Sequence, residues 1–232
     1  MLNRFVINKA RYVLEDLLPA AARDSLLFYG LMKLIYRDRT QMIATFKSRS
    51  STLTPEEYSE YYRLFPALLE STDLNEACIE RITSEVVGAT VIDVGCGRGW
   101  FVDHLQKSTS LAVTGLDFMV PQEMRRKYPD ISFVEGPIEH LPFPDKTFDT
   151  VVCSHTLEHI VRFDNALAEL RRITRRRLIL VVPSEREYRY SFNLHVNFFP
   201  YKHSFLNRLL PMPAQYVCEI LDGDIYYRED RS

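Results

Sequence analysis

Hydrophobic positions change their period along this chain. From residue 90 onward, short β-branched and aliphatic runs alternate with segments whose apolar residues recur every three to four positions. The short runs predict strands near 90–94, 111–117, 131–135, 148–153 and 177–182. The segments between them predict helices, the first with Phe101, Val102 and Leu105 on its apolar side. Strand–helix alternation of this kind builds a parallel sheet covered on both faces. Further on, Tyr216–Leu221 and Asp224–Tyr227 flank Asp222-Gly223, a two-residue hairpin signal.

Upstream of residue 90 the pattern is helical throughout. Thr54-Pro-Glu-Glu57 is a start signal: Thr54 caps, Pro55 suits the first helical position and Glu57 reaches back as a capping box. That helix carries Tyr58, Tyr61, Tyr62, Leu64 and Phe65, which read as packing residues, and Pro66 follows. Asp73-Leu-Asn-Glu76 starts another helix, with Cys78, Ile79 and Ile82 as its apolar side and Gly88 near its end. Ser25 to Tyr36 is apolar but about half a membrane span, and it is bracketed by Arg23, Lys33, Arg37 and Arg39. Two readings stand for it: a helix packed over the cofactor site or a dimer interface, or an interfacial helix giving peripheral contact with lipid.

Composition narrows the class. With 232 residues, 46% hydrophobic and 26% charged, the chain is that of a soluble globular protein with one sizeable core and an appendage. A formal charge of −2 gives no global attraction to nucleic acid. Cys78, Cys96, Cys153 and Cys218 are scattered without a C-x-x-C pair, so neither a zinc site nor a disulfide framework is expected. No run of about twenty apolar residues spans a membrane, and the start lacks the uninterrupted apolar core of a signal peptide. A reducing cytoplasm is the expected location.

The candidate chemistry begins where the strand at Thr90–Val94 ends. Gly95, Gly97 and Gly99 follow at alternating positions, and the helix with Phe101 comes next. Glycines there admit backbone angles closed to other residues, and the helix start offers free N–H groups to a nucleotide-like ligand. A dinucleotide fingerprint wants G-x-G-x-x-G, whereas this spacing is G-x-G-x-G and Trp100 occupies the place of the third glycine. About twenty residues on, Leu111–Asp117 reads as a second buried strand ending in an acid that can accept both hydroxyls of a ribose.

Val91-Ile-Asp-Val-Gly-Cys-Gly-Arg-Gly99 resembles motif I of the class I S-adenosylmethionine-dependent methyltransferases. Asp117, then Glu139–Asp149, then Val151-Val-Cys-Ser-His-Thr-Leu-Glu-His159 match in order, so the resemblance covers roughly residues 73–182. It implies an α/β fold with a Rossmann-like, doubly wound seven-stranded sheet: five parallel strands, then a terminal antiparallel hairpin. Residues 1–70 would be an N-terminal helical extension capping a methyltransferase domain over 71–232. The cofactor would be S-adenosylmethionine. Gly95, Cys96 and Gly97 would cradle its methionine part, with Asp93 ordering the turn or reaching the ligand through water. Asp117 would bind the ribose, Phe118 would pack on the adenine, and Ser154 at the end of the fourth strand would complete the site. The family often has Gly-Asp-Ala after the third strand; here Gly136-Pro137-Ile138 leaves only the backbone N–H of Ile138 to reach the ring.

Methyl transfer needs alignment of the acceptor and, for a hydroxyl, removal of a proton. His155, at the tip of the fourth strand, and His195, in the aromatic stretch 183–201, are the two candidate bases. His155, Glu158 and His159 would share one face if Thr156 opened a helical turn, though His155 stands where related quinone-pathway enzymes have an acid, and no metal is assigned. The arginines of Arg171–Arg177 read as a solvated helix C-terminus. Asn197-Phe-Phe-Pro-Tyr201 lies in the wrong place for the amine-directed nucleic-acid signature. The expected reaction is methylation of a small-molecule or sugar-type acceptor, at oxygen. Its rivals are a non-catalytic binding protein and an NAD-type oxidoreductase.

Overall fold

A computed structural model of the chain describes residues 18–64, 72–190 and 193–231; Phe65, Pro66 and the other residues between these stretches lie outside the described part. The chain divides into two compact units. One comprises residues 1–70 with Glu185–Phe198, the other 71–184 with 199–232. A boundary near residue 70 leaves Glu185–Phe198 with the sheet, whereas by its contacts this segment groups with the N-terminal helices.

In the first unit, α1 (Ala20–Arg23), α2 (Leu26–Tyr36), α3 (Thr40–Arg49) and α4 (Pro55–Leu64) follow one another closely. Ser25 caps α2, its Oγ accepting from Phe28 N–H at 3.2 Å. At α4 the capping box forms: Glu57 accepts from Thr54 N–H at 2.9 Å and Thr54 Oγ1 from Glu57 N–H at 3.2 Å. Phe28 and Met32 of α2 pack with Ile43 and Tyr190, and Phe46 packs with Tyr61 and Leu194. The tyrosines serve as packing residues, with Phe46 and Tyr61 ring centroids 4.9 Å apart and Tyr58 and Tyr62 5.1 Å apart.

The second unit is built on seven strands: β1 (Thr90–Val94), β2 (Ala112–Asp117), β3 (Ser132–Glu135), β4 (Phe148–Ser154), β5 (Thr174–Pro183), β6 (Tyr216–Leu221) and β7 (Asp224–Asp230). Their order is β3-β2-β1-β4-β5-β7-β6, with β1 to β5 parallel and β7 antiparallel to both its neighbours. Its helices are α5 (Glu76–Glu85), α6 (Trp100–Ser108), α7 (Gln122–Lys127), α8 (Phe163–Ile173) and α9 (Lys202–Leu206). This is the expected doubly wound sheet ending in an antiparallel hairpin.

Both faces of the central strands are buried because successive side chains alternate between two apolar layers. Ile92, Val94, Leu178, Leu180 and Val182 join Phe163, Ala166, Leu167, Leu170 and Ile173 of α8 on one side. Val91, Val152, Ile179 and Val181 join Ile82 of α5 and Phe101, Val102 and Leu105 of α6 on the other. Such alternation fixes register, since a one-residue slip would exchange the layers.

β7 runs on to Asp230, three residues past the expected Tyr227, and two further boundaries differ from expectation. The α5 cap is Asn75 rather than Asp73: its side chain accepts from Cys78 N–H at 2.8 Å. And β5 starts at Thr174, so Arg175, Arg176 and Arg177 lie in the strand while only Arg171 and Arg172 occupy the last turn of α8. Acidic partners explain the extended arginines: Arg175 and Arg176 pair with Asp149 at 3.1 and 3.3 Å, and Arg177 with Asp230 at 2.7 Å. Pairing across the sheet competes successfully with one more helical turn.

A candidate cofactor site at the carboxyl ends of β1 and β2

In an open parallel sheet the crevice lies where strand order reverses, beyond the carboxyl ends. Here β1 is that point, with β2 on one side and β4 on the other. The chain leaves β1 through Gly95 (φ 82), Gly97 (φ 52) and Gly99 (φ 74), all left-handed. Gly95 and Cys96 N–H both donate to Leu116 O, at 2.7 and 2.9 Å, which folds the turn over the end of β2. A Cβ on Gly95 would sit 2.0 Å from Thr156 Oγ1, so the loop after β4 presses directly on the turn. A Cβ on Gly97 would meet nothing within 4 Å. That open side is the cradle.

The acid from β2 closes the same turn. Asp117 Oδ2 accepts from Gly97 N–H at 2.8 Å, and Oδ1 accepts from Met119 N–H at 3.2 Å. A carboxylate offers about four acceptor positions, and with Phe118 N–H as a third donor roughly one remains for a hydroxyl group. Burial raises the Asp117 carboxyl, backbone N–H groups of Gly97, Met119 and Phe118 lower it, and the outcome is about 6. Asp93, one strand across, is 2% exposed. Burial, with Asp117's charge adding to it, lifts Asp93 to about 7. Its Oδ1 is buried without a hydrogen-bond partner among the described residues. An orphaned carboxylate oxygen beneath an open glycine cradle is what a polar, cationic ligand would complete.

The remaining expected residues fall in distinct places. Cys96 contributes backbone only: its thiol is buried in the layer with Phe101 and Phe133, and burial pushes it far above its ordinary range. Phe118 is half-buried immediately after Asp117. Ile138 turns its side chain into the opposite apolar layer, and Gly136 N–H donates to Asp117 O at 3.0 Å, which brings the loop after β3 beside Asp117. Ser154 ends β4, where its carbonyl accepts from Thr156 Oγ1 at 2.9 Å.

His155 differs from a general base. It adopts φ 47, and only a short 3-10 turn, Leu157–His159, follows it. Its Nε2 lies 3.1 Å from Asp224 Oδ2 and its Nδ1 3.5 Å from Glu158 Oε1. Burial alone would lower its pKa, but the two carboxylates outweigh it and raise it to about 10. Both ring nitrogens therefore face carboxylates, which favour the protonated imidazole. Asp224 is held in turn by Asn75 Nδ2 at 2.9 Å, and that amide also donates to Leu221 O at 2.8 Å. The α5 cap, the β6–β7 turn and the loop after β4 thus share one buried polar chain. His195 belongs to the other compact unit, where its Nδ1 faces Glu185 and Asn193 donates to the same carboxylate.

Sequence reasoning missed Thr156, Asp224 and Asn75. Asn75 carried a signal, being a cap residue before an apolar helix face. The other two act through partners 61 and 69 positions away, and no local pattern announces them.

Residues 92–182 match the family described as a methyltransferase domain. A fatty-acid O-methyltransferase of Mycolicibacterium smegmatis is 32% identical over 62% of this chain and 55% of its own length. A demethylmenaquinone methyltransferase of Renibacterium salmoninarum is 35% identical over 41% of this chain and 42% of its own. The chain therefore spans about half the length of these two curated relatives. Among solved structures, a SAM-dependent methyltransferase from Aquifex aeolicus superposes with a TM-score of 0.52 at 19% identity, covering 76% of this chain and 99% of that one. That similarity is one of fold. The glycine turn, the buried Asp93 and the Asp117–Gly97 bond all lie within the stretch that is similar to the methyltransferase domain.

Proposed function

We propose that this chain transfers a methyl group from S-adenosylmethionine to an oxygen of a small, lipophilic molecule. S-adenosylmethionine brings the reactive methyl carbon, carried on a sulfonium. The observation that carries the reading is the hydrogen bond from Gly97 N–H to Asp117, which ties the cradle to the acid that would hold the ribose. Asp93 and Asp117 place negative charge under the turn, where it attracts a cation. Gly97 keeps the backbone bare for close approach, and Gly95 makes room for Thr156.

Acceptor chemistry follows from the part played by His155. A hydroxyl acceptor needs a base, and this imidazole has both nitrogens engaged by carboxylates. A carboxylate acceptor arrives already ionised at neutral pH and needs none. One relative is named a fatty-acid O-methyltransferase, and a fatty acid carries such a group on an apolar tail.

The test is titration of the purified protein with S-adenosylmethionine and S-adenosylhomocysteine, then methyl release with free fatty acids, phenols and glycosides compared side by side. Saturable binding and turnover on the acids are expected. Asp117→Ala is expected to weaken binding by on the order of 1–3 kcal/mol, the value of the hydrogen bonds removed. Undetectable binding by a folded protein, or undiminished affinity in Asp117→Ala, would sink the reading.

A further inference from the structure

We propose that α2 is an interfacial helix that docks the N-terminal unit on an anionic lipid surface. The proposal goes beyond the methyl-transfer reading and stands without it.

Helix α2 has eleven residues and two unlike halves. Its inner half, Phe28 and Met32 with Tyr29 and Tyr36 beside them, is covered by Ile43 and Tyr190 of the same unit. Its outer half carries Leu26, Leu27, Leu31, Leu34 and Ile35, every one of them exposed; Leu27 is 87% and Leu34 78% accessible. At 100° per residue these five sweep half the circumference, with Gly30 in the middle and nothing within 4 Å of where its Cβ would stand. Isolated exposed leucines are ordinary, whereas a contiguous apolar stripe on one helix marks an interaction face.

The charge around the stripe selects the partner. Lys33 lies on its rim, and Arg37 and Arg39 stand exposed just past its end, with the exposed acids Asp38 among them and Asp24 before the helix start. Ile35, Tyr36, Arg37, Asp38 and Arg39 line a shallow, open hollow at the end of the helix. An apolar half-cylinder with a basic rim is the composition of helices that lie in the headgroup region. No described helix is long and apolar enough to cross a membrane, and α2 needs only to lie flat. Basic side chains at such a surface gain from its negative potential, over a range set by ionic strength.

The experiment is flotation of the full chain with vesicles of phosphatidylcholine alone and of a phosphatidylcholine–phosphatidylserine mixture. Sedimentation velocity of the free protein runs alongside. Co-flotation with the mixed vesicles is expected, and it is expected to weaken with salt. Leu27→Gln and Leu34→Gln are each expected to lower the partition coefficient by about tenfold or more. Lys33→Gln and Arg37→Gln are each expected to lower it about fivefold on the mixture and hardly at all on phosphatidylcholine. All four side chains are exposed, and unchanged circular dichroism would verify that the variants fold. Absence of flotation overturns the proposal. So does flotation that ignores the leucine variants. A dimer that fails to bind vesicles and that the leucine variants dissolve would assign the face to a second copy of the chain, which also overturns it.

Discussion

Replacing His155 by Ala tests whether this residue is a clamp or a base. The imidazolium sits between Asp224, 3.1 Å away, and Glu158, which is fully buried. Removing it leaves two carboxylates in a low-dielectric interior without their counter-charge. Deleting one partner of a buried pair typically costs about 3–5 kcal/mol, and the left-handed backbone at φ 47 gives Ala no relief. The pH dependence separates this from simple loss of packing. The folded value, about 10, lies above the ordinary 6.5. The stabilisation is therefore complete below pH 6.5 and disappears as pH climbs through about 10. Urea unfolding of the wild type and His155→Ala is expected to show a difference of several kcal/mol at pH 6.5 that shrinks sharply above pH 10. His155→Asn, which tolerates left-handed angles and can still donate a hydrogen bond, is expected to fall between the two. A difference that stays constant across this range would mean that the charge contributes nothing, and the clamp would be refuted. If the residue were a base, methyl transfer would instead rise with a pKa near 6.5 and vanish in both variants at every pH.

The cofactor turn gives two further predictions. Gly95→Ala introduces a Cβ 2.0 Å from Thr156 Oγ1 at φ 82. Left-handed strain and overpacking together are expected to cost about 2–5 kcal/mol in thermal or urea unfolding. Thr156→Gly in the same chain is expected to recover part of that loss, and a neutral Gly95→Ala would show that the loop does not press on the turn. Affinity for S-adenosylmethionine, measured by calorimetry, is expected to increase as pH rises through about 6 and 7, where Asp117 and Asp93 ionise. Both values lie above the ordinary 3.8, so fold stability falls as pH rises from about 3.8 and levels off once the folded carboxyls ionise at about 6 and 7. Asp93→Asn is expected to flatten the upper part of the affinity profile, and a flat wild-type profile would contradict the charge argument.

Much of the sheet was legible because its strands are short aliphatic runs between glycines, prolines and helical periods. Thr90–Val94 and Tyr216–Leu221 have the predicted bounds. Asp117 was legible too, since a parallel strand ending in an acid places that acid at the carboxyl edge. Legibility failed where a residue's role depends on a distant partner. Arg175–Arg177 look like a helix end until Asp149 and Asp230 are placed beside them. His155 looks like a base until the β6–β7 turn delivers Asp224. Glu185–Phe198 follows β5 in sequence, yet Tyr190 and Leu194 are consumed by the cores of the N-terminal helices.

The strand sequence of the sheet also bears on synthesis. Asp224–Asp230 emerges last of the seven strands but lies between β5 and β6, pairing with both. Until it leaves the ribosome, Arg177–Pro183 presents an unsatisfied aliphatic border and Tyr216–Leu221 has nowhere to attach. A nascent chain stopped before this strand is then a template for edge-to-edge aggregation, and chaperone demand is expected to last until Asp224–Asp230 has been made.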